Sequence, residues 1–225
     1  MRITYYGHSC IGVATGGQHL LFDPFISGNP QAKHIDIGGI TATHILITHG
    51  HGDHVLDAEA IAKRTGAPII TNYEIACWFE AKGVPQAVGM NTGGQKDFGG
   101  FSVKLTGARH SSQLPDGSYG GNPNGFVVNT AEGTFHHAGD TGLTLDMQLL
   151  RRHRLKFACL PIGDHFTMGY ADAVEAAEYM DVRTVIGIHY DTFPPIALDH
   201  AAATEAFRKA GKELLLPAIG ETIEL

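Results

Sequence analysis

The sequence predicts an α/β protein of the α+β type: two mixed β-sheets packed face to face, with helices on both outer surfaces, in one domain. Three observations predict it. Strand-like segments come in two runs, each followed by helical segments. No Pro- or Ser-rich linker separates the runs. Candidate metal-binding residues follow the C-terminal ends of several strands, which places the working edge of the sheets. The domain is expected to cover residues 1–225, in two pseudo-symmetric halves of roughly 1–120 and 121–225.

In the first run, Tyr5 and Tyr6 belong to an opening strand and Cys10 to Thr15 to a second. Thr15-Gly16-Gly17-Gln18 is a hairpin signal that returns the chain into His19 to Asp23. A loop with Pro24, Gly28-Asn29-Pro30 and Gly38-Gly39 precedes a strand at Ile45 to Ile47. One helix is expected to begin at Asp53, with Val55, Leu56, Ala60, Ile61 and Ala62 apolar and Gly66 as its stop. Pro68 to Thr71 reads as a buried strand, and Glu74 to Lys82 as a helix ended by Gly83.

Phe98 to Thr106 is strand-like and leads to His110. The Gly/Pro/Asn-rich stretch from Ser111 to Asn124 is expected to be a mobile gate. Phe126 to Asn129 and Thr134 to Ala138 form a hairpin around Glu132-Gly133. Leu145 to Arg152 is expected to be a helix and Phe157 to Ile162 a strand. A helix from Tyr170 to Met180 keeps Glu175 and Glu178 on its polar side, and Thr184 to Ile188 is a strand. His200 to Lys209 is the last helix, closed by Gly211; Leu214 to Leu216 and Thr222 to Leu225 are expected edge strands.

Composition narrows the function. With 43% hydrophobic and 17% charged residues the chain is an ordinary folded protein rather than a disordered one. A formal charge of −7 and the lack of any long basic run argue against nucleic acid; Arg151-Arg152-His153-Arg154 reads as a solvated helix end. Neither a signal peptide nor a membrane-length apolar window is visible, so a cytoplasmic location and no membrane partner are expected. Cys10, Cys77 and Cys159 form no C-x-x-C pair and suit buried thiols in a reducing compartment. Homo-oligomer formation is left open, with Trp78-Phe79 and the C-terminal strands as interface material.

Thr48-His49-Gly50-His51-Gly52-Asp53-His54 carries the chemistry. Three imidazoles and a carboxylate within six positions, straight after an apolar run, have no packing rationale. Imidazole nitrogen and carboxylate oxygen are the donors of water-activating zinc, iron and manganese sites. His49 and His51 are two apart and project to one side of an extended strand end, while Gly50 and Gly52 allow the tight path that brings Asp53 and His54 back.

This H-x-H-x-D-H order resembles the metallo-β-lactamase superfamily, and the likeness runs along nearly the whole chain. It implies that family's four-layer αββα sandwich. It also implies the remaining donors, in order: His110 in Ala108-Arg109-His110-Ser111, Asp140 in Gly139-Asp140-Thr141, and His189 in Gly187-Ile188-His189-Tyr190. By resemblance, His49, His51 and His110 hold one divalent metal, Asp53, His54 and His189 the second, and Asp140 lies between them. His51 stands where the family's di-iron flavoproteins have Glu, which favours two zinc ions and a hydrolase, with manganese, iron or nickel as other occupants. Gly7-His8-Ser9, Phe22-Asp23-Pro24-Phe25, the run from Gly163 to Gly169, and His189 to Pro194 resemble the branch of small prokaryotic metal-dependent hydrolases; ascorbate-6-phosphate lactonase is a looser likeness.

The expected activity is hydrolysis of a small-molecule ester, lactone or phosphoester by a water activated between two metals. A phosphodiesterase or nuclease of the same fold is the alternative, and a non-hydrolytic iron-binding redox or sensor protein a further one. Asp53 is expected to hold the attacking water. Asp164 and His165, after an apolar strand, are candidate catalytic residues, His165 as proton donor to a leaving group. His8 is a candidate for the pocket floor and Asp23 for orienting a ligand imidazole. His136 and His137, adjacent in a strand, face opposite sides and are read as structural.

Overall fold

In the computed structural model, which describes residues 1–84 and 86–225, the strands sort into two seven-stranded mixed sheets. The first half supplies β1 (Arg2–Gly7), β2 (Cys10–Thr15), β3 (Gln18–Phe22), β4 (His44–Leu46), β5 (Ile69–Asn72) and β6 (Ala87–Met90). The second sheet takes β7 (Gln95–Asp97), β8 (Phe101–Gly107), β9 (Asn124–Thr130), β10 (Gly133–His137), β11 (Phe157–Pro161), β12 (Thr184–Ile188) and β13 (Glu213–Leu215). The last strand, β14 (Thr222–Glu224), returns to pair antiparallel with β1. The sheets therefore do not divide at residue 120. β8 joins the second sheet because all seven of its residues pair with β9, and the C-terminal strand closes the first sheet.

Apolar side chains of both inner faces meet in one core, with Ile3, Val13, Leu20 and Phe22 of the first sheet against Val103, Leu105, Phe126 and Phe135 of the second. On the outside of the first sheet, α2 (Ala58–Thr65) and α3 (Tyr73–Ala81) bury Ile61, Ala62, Ile75 and Phe79 against Leu21, Ile45 and Ile69. On the outside of the second, α4 (Tyr170–Met180) and α5 (His200–Lys209) bury Ala173, Ala176, Ala177 and Phe207. That is the expected four-layer αββα arrangement.

Two helices differ from expectation. The helix foreseen from Asp53 is split into a single turn, α1 (Gly52–Val55), and α2. Asp57 makes the break: its amide donates to the Pro24 carbonyl, and its carboxylate accepts from the amides of Ile26 and Ser27 and from the Ser27 hydroxyl. These bonds tie the junction to the neighbouring loop. The Leu145–His153 segment is 3-10 rather than α, because its two buried residues, Met147 and Leu150, are three apart and a three-residue turn stacks them on one side. Strands β6 and β7 had no clear sequence signal. β7 is Gln-Lys-Asp, fully exposed, and is a strand only through its pairing with β8.

Strand direction gathers the functional loops. β1 and β3 both run antiparallel to β2, and β4 runs parallel to β3. β8 and β10 both run antiparallel to β9, and β11 and β12 run parallel to β10. In each sheet these strands end on a common edge. Backbone bonds cross between the sheets there: the His189 amide donates to the His8 carbonyl at 2.9 Å, and the Asn124 amide to the Thr48 carbonyl at 3.0 Å.

Candidate metal centre

At this edge the backbone adopts conformations that side chains rarely take. His8, Asp23, Asp164, His165, His189 and Asp191 all have φ between 42° and 60°. Each such residue costs of order 1–3 kcal/mol, and Asp and His carry that cost more readily than bulky residues. His8, Asp23 and His189 each stand directly after a strand, where the chain turns away from it.

Two clusters of donor atoms result. His49, His51 and His110 bring nitrogen atoms within 4.8 Å of one another. His8, Asp53, His54 and His189 form the other cluster under the same limit. Asp140 sits between: its Oδ2 lies 3.8 Å from His49 Nε2, 3.3 Å from His54 Nε2, 3.5 Å from His110 Nε2 and 3.0 Å from His189 Nε2. The three-imidazole group thus matches the set that the resemblance implied, and the second group gains His8.

Neighbouring groups set the rings. Asp23 is fully buried; its Oδ1 accepts from the Thr48 amide, and its Oδ2 from the Thr48 hydroxyl and from His54 Nδ1 at 2.9 Å. That fixes His54 with Nδ1 protonated and Nε2 turned toward Asp140. Thr48 Oγ1 also lies 3.0 Å from His49 Nδ1. His8 spans Thr192 Oγ1 at 2.9 Å and Asp53 Oδ2 at 3.1 Å, so it locks the one donor carboxylate that is open to solvent.

Charge follows from burial and pairing. Burial pushes His49 well below its usual pKa, and the neighbouring His54 adds to the effect. Burial also lowers His51 and His110, and takes His8 down to about 4. For His54, burial opposes the charge, but Asp140 and Asp23 outweigh it and hold the pKa well above 6.5. Asp140 is desolvated, which favours its neutral form, yet His54 and His189 keep it well below the usual carboxylate range. Asp53 is held low in the same way, against burial, by its bond to His8 and the charge of His54.

The donor set fits divalent metals. Among the described residues, buried His54 Nε2, Asp140 Oδ1 and His189 Nδ1 find no hydrogen-bond partner, and orphaned buried polar atoms of this kind are rare without a function. Ionised carboxylates with mostly neutral imidazoles are the protonation states that cations such as zinc require.

Residues 18–190 match the family described as "Beta-lactamase superfamily domain". A UPF0173 metal-dependent hydrolase of Flavobacterium johnsoniae is 48% identical over the full length of both chains. The corresponding protein of Thermus thermophilus is 42% identical over 100% of this chain and 99% of its own. The structure of Igni18, a metallo hydrolase from the archaeon Ignicoccus hospitalis, superposes with a TM-score of 0.89 at 34% identity, covering 99% of this chain and 97% of that one. The chain belongs to the metallo-β-lactamase superfamily. Within it, the full-length identities place the chain among the UPF0173 metal-dependent hydrolases.

The superfamily edge also shows where other expected residues fall. Asp164 and His165 are exposed in a turn and do not line the cavity in front of the donors. The Asp164 side chain accepts from the His165 amide instead, so the two residues shape the turn. Phe166, next in sequence, does line that cavity, together with Phe193 and Pro195. The Ser111–Asn124 loop is tied down. Ser112 Oγ bridges the Gly50 amide and the Gly120 carbonyl, Asn72 Nδ2 donates to the carbonyls of Gly120 and Asn122, and Trp78 Nε1 donates to Asp116. His137 stacks on Phe22, donates from Nε2 to the Ser9 carbonyl and accepts from the Gly139 amide at Nδ1. His136 bonds the Phe126 carbonyl, so each of the two imidazoles is held by a backbone partner. Phe79 is core, Cys10 and Cys159 are buried free thiols, and Cys77, expected to be buried, is exposed. Sequence reasoning named His8 only as pocket floor; its place in Gly7-His8-Ser9, straight after a strand, was the available signal. Thr48 and Thr192 carried none, since a hydroxyl becomes significant only when an imidazole is placed against it.

Proposed function

We propose that this metal-dependent hydrolase is binuclear and hydrolyses a small ester, lactone or phosphoester. The carrying observation is the position of Asp140 Oδ2, within 4 Å of a nitrogen from each of His49, His54, His110 and His189. A carboxylate so placed serves both donor clusters. His49, His51 and His110 would hold one ion, and Asp53, His54 and His189, with His8 beside them, the other. The imidazole-rich donor set favours zinc, with manganese, iron and nickel as competitors.

When bound, such ions make hydroxide available near neutral pH and stabilise negative charge developing on the substrate. The protein's own groups orient the reactants. Asp53 lines the cavity with 29% of its side chain exposed and stays ionised, so its carboxylate accepts a hydrogen bond from the attacking water. His8 holds Asp53 in that orientation, and Thr192 holds His8. Asp23 and Thr48 keep His54 and His49 aimed inward.

Metal analysis after reconstitution is expected to find two ions per chain, and one or fewer would end the binuclear reading. His51→Ala and Asp140→Ala are each expected to lose metal and to lower kcat/KM by about 100-fold or more on a screened ester or lactone. Full activity in either variant would remove that residue from the mechanism.

A further inference from the structure

The cavity in front of the donors, about 540 Å³, is lined by two kinds of residue. One kind is the metal-site donors with Ser111. The other is Phe166, Phe193 and Pro195. Among the described residues lining it there is no Lys or Arg. Arg109 lines an adjoining cavity that shares only His110 with this one. A pocket that recognises a carboxylate or phosphate on the non-reacting end of its substrate ordinarily supplies a guanidinium or ammonium for it.

The apolar wall is held by construction rather than left over. Phe166 is 52% exposed, an unfavourable place for a phenyl ring in the absence of a ligand. It sits at the tip of the Gly163–Gly169 turn, directly after Asp164 and His165 at φ 60° and 57°. The turn is closed by the Asp164 amide on the Met168 carbonyl. It is anchored by buried Met168, whose amide donates to the carbonyl of Thr141, the residue after Asp140. Phe193 follows Asp191, also at φ 60°, whose carboxylate accepts from the Leu198 amide. Its ring meets His8 edge-on at 5.7 Å. Two strained loops thus present two phenyl rings beside the donor clusters.

We infer that the non-reacting part of the substrate is uncharged and apolar, of aryl or branched-alkyl size, and that Phe166 and Phe193 are the residues that select it. The inference rests on the hydrolase reading for the chemistry and on the wall alone for the recognition. It also gives the Gly163–Gly169 run a role that Asp164 and His165 do not fill as proton donors.

Binding and hydrolysis separate the two. With zinc-loaded protein, saturation-transfer NMR is expected to show 4-phenylbutanamide binding at least about tenfold tighter than butanamide. Phe166→Ala should abolish that difference and Phe166→Leu should restore most of it, both with unchanged thermal stability because the ring is exposed. Equal binding of the two amides, or indifference to Phe166→Ala, overturns the inference whatever the protein hydrolyses. So does a change of oligomeric state in Phe166→Ala with binding unaltered, because the ring would then cover a second copy of the chain. In the hydrolysis arm, the monoethyl esters of 4-phenylbutanoic and glutaric acids share one scissile bond and one leaving group. The phenyl substrate is expected to be favoured about tenfold in kcat/KM, lost through KM in Phe166→Ala. A preference for the glutaryl substrate overturns the inference, whereas amide discrimination with no hydrolysis of any ester, lactone or phosphoester overturns only the hydrolase reading.

Discussion

Asp23 shows how much of the site rests on one residue outside the donor clusters. It follows β3 at φ 42°, is fully buried, and accepts three bonds, two from Thr48 and one from His54. Asp23→Asn puts an amide N–H2 where either the Thr48 or the His54 N–H must be met by an acceptor. The ring can then rotate or change tautomer. Metal affinity is expected to fall about 10–100-fold, measured by competition with a chelator of known affinity. An unchanged affinity would mean that Asp23 only packs. At this scale the donors were the most legible part of the protein, because clustered imidazoles after an apolar strand have little other use. The residues that orient them were less so: Asp23 and His8 stood out by following strands, but which ring each would meet depends on folding that joins positions 31 and 45 residues apart.

Among the elements, those with a strong apolar period came out as read. Tyr170–Met180, Thr184–Ile188 and His200–Lys209 match to the residue. Misses came where a contact from elsewhere decides. Asp57 breaks a helix-like pattern by bonding to the Pro24–Ser27 loop, and β7 exists through β8. The Ser111–Asn124 stretch has a loop's composition, yet Asn72 and Gly50 pin it. The sharpest test concerns the junction after β11. A Cβ on Gly163 would stand 2.1 Å from the His189 carbonyl oxygen and 3.0 Å from Ile196 Cβ. Backbone must then move at the end of β12, which carries the candidate donor His189. Gly163→Ala is expected to destabilise by about 3 kcal/mol or more and to weaken metal binding as well. Gly52→Ala, with no atom near its added Cβ, should leave stability within about 1 kcal/mol. Equal melting temperatures in urea or heat scans would show that the β11–β12 contact is looser than it stands.

For the molecule as a whole, His136 and His137 are both buried but on opposite faces of β10, with His137 turned toward Phe22 of the first sheet. Burial lowers the His136 pKa to about 3, outweighing the opposing bond to the Phe126 carbonyl, and the neighbouring His137 and His153 add to the lowering. The unfolded chain takes up this proton near pH 6.5 and the folded one near pH 3, so stability is full above 6.5 and falls as pH drops through that window. Between pH 7 and 4.5 the loss from this group is about 3 kcal/mol. His136→Gln is expected to flatten that part of the acid limb by a similar amount, read from urea unfolding at the two pH values. A variant with the same slope as the wild type would place the acid sensitivity elsewhere. No helix among the described residues is long and apolar enough to cross a membrane. By itself, the sequence determined the layer order and named the candidate donors that the fold brings together at one edge, because periodicity and donor chemistry are local properties. Only the tertiary structure decided that His8 joins the second donor cluster, that Asp164 and His165 build a turn rather than line the cavity, and that β14 closes the first sheet. Each of those depends on which distant backbone a residue meets, and a one-dimensional pattern carries no distance across the fold.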